Sequence, residues 1–458
     1  MGTNLLLSPP PVETAAAMPA SLGTSPARPD RSGSLPEVFR SIVVPAGAKF
    51  WGKIGAFTGP GYLVAVGYID PGNWATDLAG GARYGYALLS VIAIANLLAI
   101  FLQTLSLRLG IATGRDLAQL CRERFNRPTA ICLWVACELA IIACDLAEVV
   151  GSAIALQLLF GLPLIIGVCA TALDVCLILW LQNRGFRYIE ALVMALLCVI
   201  GGCFAFELVI AQPDVRAIAA ALLPSRQIVI DPAMLYLAIG IIGATVMPHN
   251  LYLHSAIAQT RQFDRAECGK REAIRFATID STTALMAALL INAAILIVAA
   301  SFYRVGYTEV AEIQDAYRLL TPVLGGGLAS PLFGIALLAS GQMSAVTGTL
   351  AGQVVMEGFL RWRVSPVVRR LATRALAIVP AIAVTALYGE SGTGQLLVLS
   401  QVVLSLQLSF AVVPLLMFTS DRSLMGVFIN PGWVRVAGGF IATAIALLDG
   451  WLVWQSLA

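Results

Sequence analysis

Two short runs, Asp70-Pro71-Gly72-Asn73 and Met247-Pro248-His249-Asn250, share an x-Pro-x-Asn pattern and interrupt stretches that are otherwise hydrophobic. A proline has no amide hydrogen and displaces the carbonyl four residues earlier, so Pro71 frees the carbonyl of Gly67 and Pro248 that of Ala244. In hydrocarbon an unpaired carbonyl costs several kcal/mol and needs a partner, for which a cation is well suited. Gly72 supplies backbone freedom for an unwound stretch. Asp70 contributes a negative charge, Asn73 an amide oxygen and Met247 a thioether sulfur. Oxygen donors alone would accept Mg²⁺, Ca²⁺ or Mn²⁺, but a thioether adds little for hard ions and favours softer transition metals. The mixed set points to Mn²⁺ or Fe²⁺. A methionine inside a membrane is more often a space filler than a ligand; the freed carbonyl beside Met247 favours the ligand reading.

Further ionisable groups lie within apolar runs, where each charge is costly. Glu138, Asp145 and Glu148 share one helical face, because at about 100° per residue the first two differ by roughly 20° and the third lies about 60° further round. Crowded carboxylates raise one another's proton affinity, which suits a proton relay. An ion-pair stripe with Arg369, Arg370 and Arg374 is the equal alternative, and the two roles are compatible. Both histidines, His249 and His254, fall on or just after the second interruption, and either could exchange a proton near neutral pH. A hydrogen-bonded core histidine is the plainer role, and their i, i+5 spacing does not make a His-x-x-x-His zinc pair. Gln401 could lend an amide oxygen to a bound ion, although such a glutamine more often bonds a neighbouring helix.

These groups require a scaffold that holds them in apolar surroundings. Of 458 residues, 59% are apolar and 12% charged, against about 45–50% and about 25% in soluble domains, which excludes an ordinary cytosolic enzyme. Eleven runs read as membrane spans: 54–82, 86–112, 129–160, 163–183, 188–211, 233–261, 275–303, 330–360, 368–388, 393–419 and 433–457. As helices they can cross roughly 30 Å of hydrocarbon. The interrupted spans are the first and the sixth, corresponding members of two five-span halves, the pattern of an inverted-repeat transporter with its site at the midplane. Simple proline kinks would explain the prolines but not Asp70 beside one of them. The expected organisation is a disordered Pro/Ser/Ala/Gly-rich leader at 1–45 and a transporter domain at 46–458, with repeats 46–215 and 230–420 and an extra helix 433–457.

Net charge is only +3, which suggests no nucleic-acid partner. The placement of charge says more. Arg28, Arg31, Arg40, Lys49, Lys53, the five arginines from Arg108 to Arg127, Arg184, Arg187, Arg261, Arg265, Lys270, Arg271, Arg275, Arg361, Arg363, Arg369, Arg370, Arg374, Arg422 and Arg435 fall on one side, 24 of the 29 basic residues. The positive-inside rule then puts the N-terminus in the cytoplasm and, after eleven crossings, the C-terminus outside. Of nine cysteines, Cys132, Cys137, Cys144, Cys169, Cys176, Cys198 and Cys203 lie inside spans and read as small core residues. Cys121 and Cys268 lie in polar loops without Cys-x-x-Cys spacing, so no disulfide or thiol metal site is expected.

The residues above resemble the Nramp (natural resistance-associated macrophage protein) family of proton-coupled divalent-metal transporters. Asp70-Pro71-Gly72-Asn73 is similar to the family's first-helix metal motif, and Ala244-Thr245-Val246-Met247-Pro248-His249-Asn250 to its sixth-helix motif. Gly341-Gln342-Met343-Ser344, Thr347-Gly348-Thr349-Leu350-Ala351-Gly352-Gln353 and Met356-Glu357-Gly358 resemble its eighth-helix signature. The likeness runs from about residue 50 to the end, through Gly110-Ile111-Ala112-Thr113-Gly114-Arg115, Asp145-Leu146-Ala147-Glu148 and Ser400-Gln401-Val402. It implies an all-α polytopic membrane protein of the LeuT-type 5+5 inverted-repeat fold, with helices 1 and 6 broken. It implies metal ligation by Asp70, Asn73, Met247 and the Ala244 carbonyl, with Gln401 joining in some states. It further implies proton movement or gating through Asp145, Glu148, His249 and the Arg369–Arg370 region, with His254 as a further member; Asp70 and, from the carboxylate face, Glu138 complete the expected proton-coupling set. Bacterial manganese-uptake members are the nearest likeness, because Met247 and Ala244 are both present.

The expected function is therefore import of Mn²⁺ and Fe²⁺ with protons by alternating access, in a monomer of the inner (plasma) membrane. No cofactor, nucleotide or nucleic acid is expected. The chain lacks a Gly-x-x-x-x-Gly-Lys-[Ser/Thr] loop, which argues against an ATP-driven pump. The nearest alternative is a sodium-coupled amino-acid carrier of the same fold class, for which Met247 would be incidental. An intramembrane hydrolase using His249, His254 and Asp70 would be an enzyme, but it has no recognisable catalytic ligand pattern.

Overall fold

Proline and glycine set many of the helix boundaries. The computed structural model describes residues 34–35, 41–44, 47, 49–173, 180, 184–307, 310, 312–361, 365–388 and 392–457. Most of the expected leader and the second half of the fourth span, with Cys176, lie outside the described residues. The helices are α1 (Phe50–Phe57), α2 (Pro60–Gly67), α3 (Pro71–Tyr84), α4 (Leu89–Thr113), α5 (Leu117–Arg124), α6 (Arg127–Phe160), α7 (Leu164–Ala170) and α8 (Phe186–Ala211). They continue as α9 (Val215–Ala221), α10 (Gln227–Ile230), α11 (Pro232–Thr245), α12 (Pro248–Ile257), α13 (Glu267–Arg304), α14 (Ile313–Leu324) and α15 (Ala329–Leu360). The last are α16 (Pro366–Tyr388), α17 (Thr393–Thr419), α18 (Arg422–Met425) and α19 (Gly432–Leu457).

Helices α2, α3, α11 and α12 each start on a proline, where a missing amide hydrogen costs nothing. Helices α4 and α6 stop at left-handed Gly114 (φ 67°) and Gly161 (φ 69°). Nine helices among the described residues are long and apolar enough to cross a membrane, counting α11 and α12 as one. They correspond to every expected span except the first, which is divided into short helices, and the fourth, which is only partly described.

Both expected interruptions are present. Between α2 and α3 the chain leaves the helix at Tyr68 and is extended at Asp70 (φ −66°, ψ 164°). Between α11 and α12 it does so at Val246 and Met247. The first span has an additional break that the spans above do not include, at Thr58-Gly59, where Gly59 has φ 140°. All ten residues of α12 are buried, as are eleven residues of α3, so the half-helices form the centre of the bundle. Helices α4, α6, α13, α15 and α17 pack around them, and α6 against α15 is the most extensive pairing. Two close approaches need glycine. A Cβ on Gly110 would lie 2.0 Å from the Ser255 carbonyl oxygen of α12, and one on Gly243 would lie 2.4 Å from the Gln401 carbonyl oxygen of α17.

Bulky apolar side chains point outward from the rim, among them Leu97, Leu139, Val209, Leu290, Phe410 and Phe440, as a hydrocarbon solvent requires. A short parallel pair, β1 (Ile42–Val43) with β2 (Arg261–Gln262), joins the segment before α1 to the end of the second broken helix. Ser34 donates to Asp116 at 2.6 Å and Leu35 is buried.

Candidate metal centre

The first break is built by Asp70, which caps α3 by accepting the Asn73 amide hydrogen at 2.8 Å on Oδ1. The same oxygen accepts Asn73 Nδ2 at 2.7 Å. Asn73 Nδ2 also donates across the gap to the Ala244 carbonyl at 3.1 Å. One amide nitrogen therefore joins the two breaks, and the carbonyl it reaches is the one that Pro248 was expected to free. Met247 is fully buried, and its sulfur accepts from Asn250 Nδ2 at 3.6 Å. A side chain on Gly67 would be 3.2 Å from that sulfur and 2.3 Å from Asn250 Nδ2, so the end of α2 leaves the room that break 2 occupies. Gln401 approaches from α17. Its Nε2 lies 1.7 Å from where a Cβ on Gly72 would stand, and it donates to Ser400 Oγ at 2.9 Å.

Asp70, Asn73, Ala244, Met247 and Gln401 thus come together at the meeting of the two breaks. Asn73 Oδ1 and Gln401 Oε1 are buried and have no hydrogen-bond partner among the described residues. Unpaired buried acceptors beside a carboxylate are a donor set that fits a divalent cation. No three His, Cys, Asp or Glu side chains gather as ligands among the described residues, so a bound ion would have to draw on amide, carbonyl and thioether groups. Cys144 differs from its reading as a core filler. Its Sγ lies 4.0 Å from Asp70 Oδ2 and 3.7 Å from Glu148 Oε1.

The face of α6 carries the other acids. Asp145 accepts Arg370 Nη1 at 2.6 Å, and Glu148 accepts Arg370 Nη2 at 3.4 Å and Arg374 Nη1 at 3.3 Å. Arg374 also lies 3.8 Å from Asp145. Ser344 of α15 donates to Glu148 at 2.8 Å. Farther along, Glu138 pairs with Arg369 at 3.3 Å and accepts Trp134 Nε1 at 3.1 Å. The stripe is an ion-pair network, and its inner end, Glu148, reaches the cage through Cys144.

The histidines separate. His249 Nδ1 is buried with no hydrogen-bond partner among the described residues. His254 Nδ1 bonds Gln103 Oε1 at 2.9 Å, and Gln103 Nε2 donates to the Tyr68 hydroxyl at 2.8 Å. His254 is thereby tied to the first break through α4.

Several participants were missed. The Tyr68 carbonyl accepts Asn292 Nδ2 at 2.7 Å, and the Ile69 carbonyl accepts Trp74 Nε1 at 3.1 Å and the Ser340 hydroxyl. Asp280 accepts the amides of Gly59 and Gly61 at 3.2 and 2.7 Å, which explains the additional break. Arg261 pairs with Glu190 at 2.8 Å. Asp77 Oδ2 and both oxygens of Glu207 are buried without partners among the described residues. The rule applied to α6, that an acid in an apolar span is functional until shown otherwise, would have found Asp77, Glu190, Glu207 and Asp280.

A helical bundle whose centre is two facing broken half-helices, with polar groups converging there and ion pairs behind them, has the LeuT-type fold. The chain belongs to the Nramp family: residues 61–455 match the family described as "Natural resistance-associated macrophage protein-like", whose members are transporters and not enzymes. Two relatives called "Divalent metal cation transporter MntH" are each 60% identical. That of Listeria welshimeri aligns over 93% of this chain and 95% of its own length, and that of a Nostoc species over 94% and 97%. The crystal structure of the Eremococcus coleocola manganese transporter has a TM-score of 0.84 at 41% identity, covering 91% of this chain and 90% of that one. At 15% identity, Mhp1, a nucleobase-cation-symport-1 family transporter (TM-score 0.57, 87% and 92% covered), and MhsT (TM-score 0.58, 85% and 98% covered) share the fold alone.

Proposed function

We propose that this chain imports Mn²⁺, and Fe²⁺ as a second substrate, into the cytoplasm together with protons by alternating access. The observation that carries the reading is the Asn73 amide bridging Asp70 and the Ala244 carbonyl, beside buried Met247 and two unpaired amide oxygens. The names of the relatives, divalent metal cation and manganese transporters, support the substrate class. Asp70, Asn73, Met247, the Ala244 carbonyl and Gln401 hold the ion. Asp70, Glu138, Asp145, Glu148, His249, His254, Arg369 and Arg370 carry or gate protons. The repeats are 46–215 and 230–420, with 433–457 added, in a monomer of the inner membrane with its N-terminus cytoplasmic and its C-terminus outside.

The amino-acid carrier of the same fold makes a different demand. Its broken helix ends must receive a substrate carboxylate, which the negative charge of Asp70 would repel. Proteoliposome uptake of Mn²⁺, Fe²⁺, Ca²⁺ and Mg²⁺, with and without an inward proton gradient, tests the proposal. Native protein should take up Mn²⁺ faster under the gradient. Asp70→Ala should not exceed empty liposomes, and Met247→Ala should discriminate less against Ca²⁺ and Mg²⁺. Native uptake no greater than that of empty liposomes would reject it.

A further inference from the structure

We propose that Cys144 gives the cage a second sulfur, a binding group for thiophilic divalent cations such as Cd²⁺ and Hg²⁺ in competition with Mn²⁺. The inference rests on reading the meeting of the two breaks as a divalent-cation site. Cys144 is buried on the face of α6 that turns toward the first break, with its Sγ 4.0 Å from Asp70 Oδ2. It packs in one group with Ala140, Ala143, Met247 and Leu404. The thiol and the thioether therefore belong to the same wall, one from the unbroken α6 and one from break 2. Asn73, whose Nδ2 donates to Asp70, and Gln401 each keep a side-chain oxygen, Asn73 Oδ1 and Gln401 Oε1, that is buried and unpartnered among the described residues. The thiol thus lies beside the carboxylate of a cage that also holds two unpaired amide oxygens, and a cation can join the sulfur to that carboxylate.

A single thioether makes a site of borderline softness. A thiol changes that, because sulfur donors select soft ions far more strongly than oxygen donors do. The binding step balances without oxidant or reductant: the S–H bond breaks, a sulfur–metal bond forms, and the proton leaves to water. Mn²⁺, harder than Cd²⁺ or Hg²⁺, gains far less from a thiolate than they do and remains with Asp70, the Met247 thioether and the amide oxygens. Cys144 is then a selectivity residue acting in the direction opposite to the hard oxygen donors, and it makes Mn²⁺ transport by this chain sensitive to cadmium and mercury.

Two readouts on full-length protein test this. In proteoliposomes, Cys144→Ser should lower the Cd²⁺ to Mn²⁺ uptake ratio by about tenfold, the factor that about 1.4 kcal/mol represents. In detergent, Cd²⁺-loaded native protein should show the ultraviolet sulfur-to-cadmium charge-transfer band, with a component that Mn²⁺ displaces. That component should be absent in Cys144→Ser and present in Met247→Ala, since a thioether does not produce it. If the Mn²⁺-displaceable component is missing from native protein, or persists in Cys144→Ser, the inference is overturned whether or not the liposomes transport Mn²⁺. A native band without any metal uptake would sustain the thiol site and reject the transport reading.

Discussion

Removing the Arg370 charge alone should cost more stability than removing it together with that of Asp145, and the comparison separates the two roles open to the stripe. Asp145, Glu148, Arg370 and Arg374 are all no more than 2% exposed, and they form a balanced set of two acids and two bases. At an effective dielectric constant of about 20, the 2.6 Å contact between Arg370 and Asp145 represents a gross attraction of about 6 kcal/mol. Most of that offsets the cost of taking both ions out of water. Arg370→Leu leaves two buried carboxylates facing one arginine, and should destabilise by about 3–5 kcal/mol, the usual cost of orphaning one partner of a buried pair.

Combining Arg370→Leu with Asp145→Asn leaves Glu148 and Arg374 paired at 3.3 Å and restores neutrality, so the double variant should regain at least about 2 kcal/mol of the loss. Unfolding of the purified proteins in one detergent measures this. Mn²⁺-dependent proton entry into liposomes, followed with an internal pH dye, measures the other role. If the stripe moves protons, the double variant should be stable yet take up Mn²⁺ with little accompanying proton. A double variant as unstable as the single would refute charge balance as the source of stability. Native proton entry in a stable double variant would refute the relay.

Asn292→Ala should cost about 1–3 kcal/mol in the same unfolding assay, because it leaves the Tyr68 carbonyl without its donor; Ser340→Ala should cost less, since Trp74 still serves Ile69. Gly72→Ala places a methyl group where the tip of Gln401 lies, so it should raise the Mn²⁺ KM much as Gln401→Ala does, and the double variant should be no worse than either single. Asp116, in the short helix between α4 and α6, is pushed by burial from the usual 3.8 up to about 6. The folded protein therefore binds this proton more tightly than the unfolded chain, and its contribution, roughly 3 kcal/mol at most, is full below about pH 4 and lost as pH rises through about 6. Unfolding midpoints across that window should fall less steeply with rising pH in Asp116→Asn than in the native chain.

The breaks were legible because proline acts locally: Pro71 and Pro248 determine where the helix must stop, and the apolar flanks say that the stop is inside a membrane. The α6 stripe was legible because 3.6-residue periodicity places Glu138, Asp145 and Glu148 on one face, and the arginines at the start of the ninth span offered partners of opposite charge. Asn292, Trp74 and Ser340 were not legible as partners of the Tyr68 and Ile69 carbonyls. Two of the three come from spans far away in the chain, and a lone asparagine or serine in an apolar run has no local mark of what it will meet. The break at Gly59 had a signal, the Gly59-Pro60 pair, which the breadth of the apolar run concealed. Cys144 was read as filler because a thiol among alanines has the composition of packing; Glu148 one turn along α6 was a local polar signal, and the approach of α3 adds Asp70.

The two breaks are satisfied unequally, and the inequality indicates which part an ion can use. In break 1 the Tyr68 and Ile69 carbonyls are held by three donors from α3, α13 and α15, so that backbone is already paired. In break 2 the Ala244 carbonyl relies on Asn73 Nδ2, the same nitrogen that serves Asp70 Oδ1. A donor shared between a carboxylate and a carbonyl does with partial charges what a cation between them would do with a full one. In the proposed cycle the ion takes over both acceptors, and rotation of the Asn73 amide then turns its unpaired Oδ1 toward the charge that displaced its nitrogen. On the proposed reading Asn73 both bridges the two acceptors and ligates the ion that replaces that bridge, whereas alanine at this position would leave Asp70 and the Ala244 carbonyl facing each other with nothing positive between them.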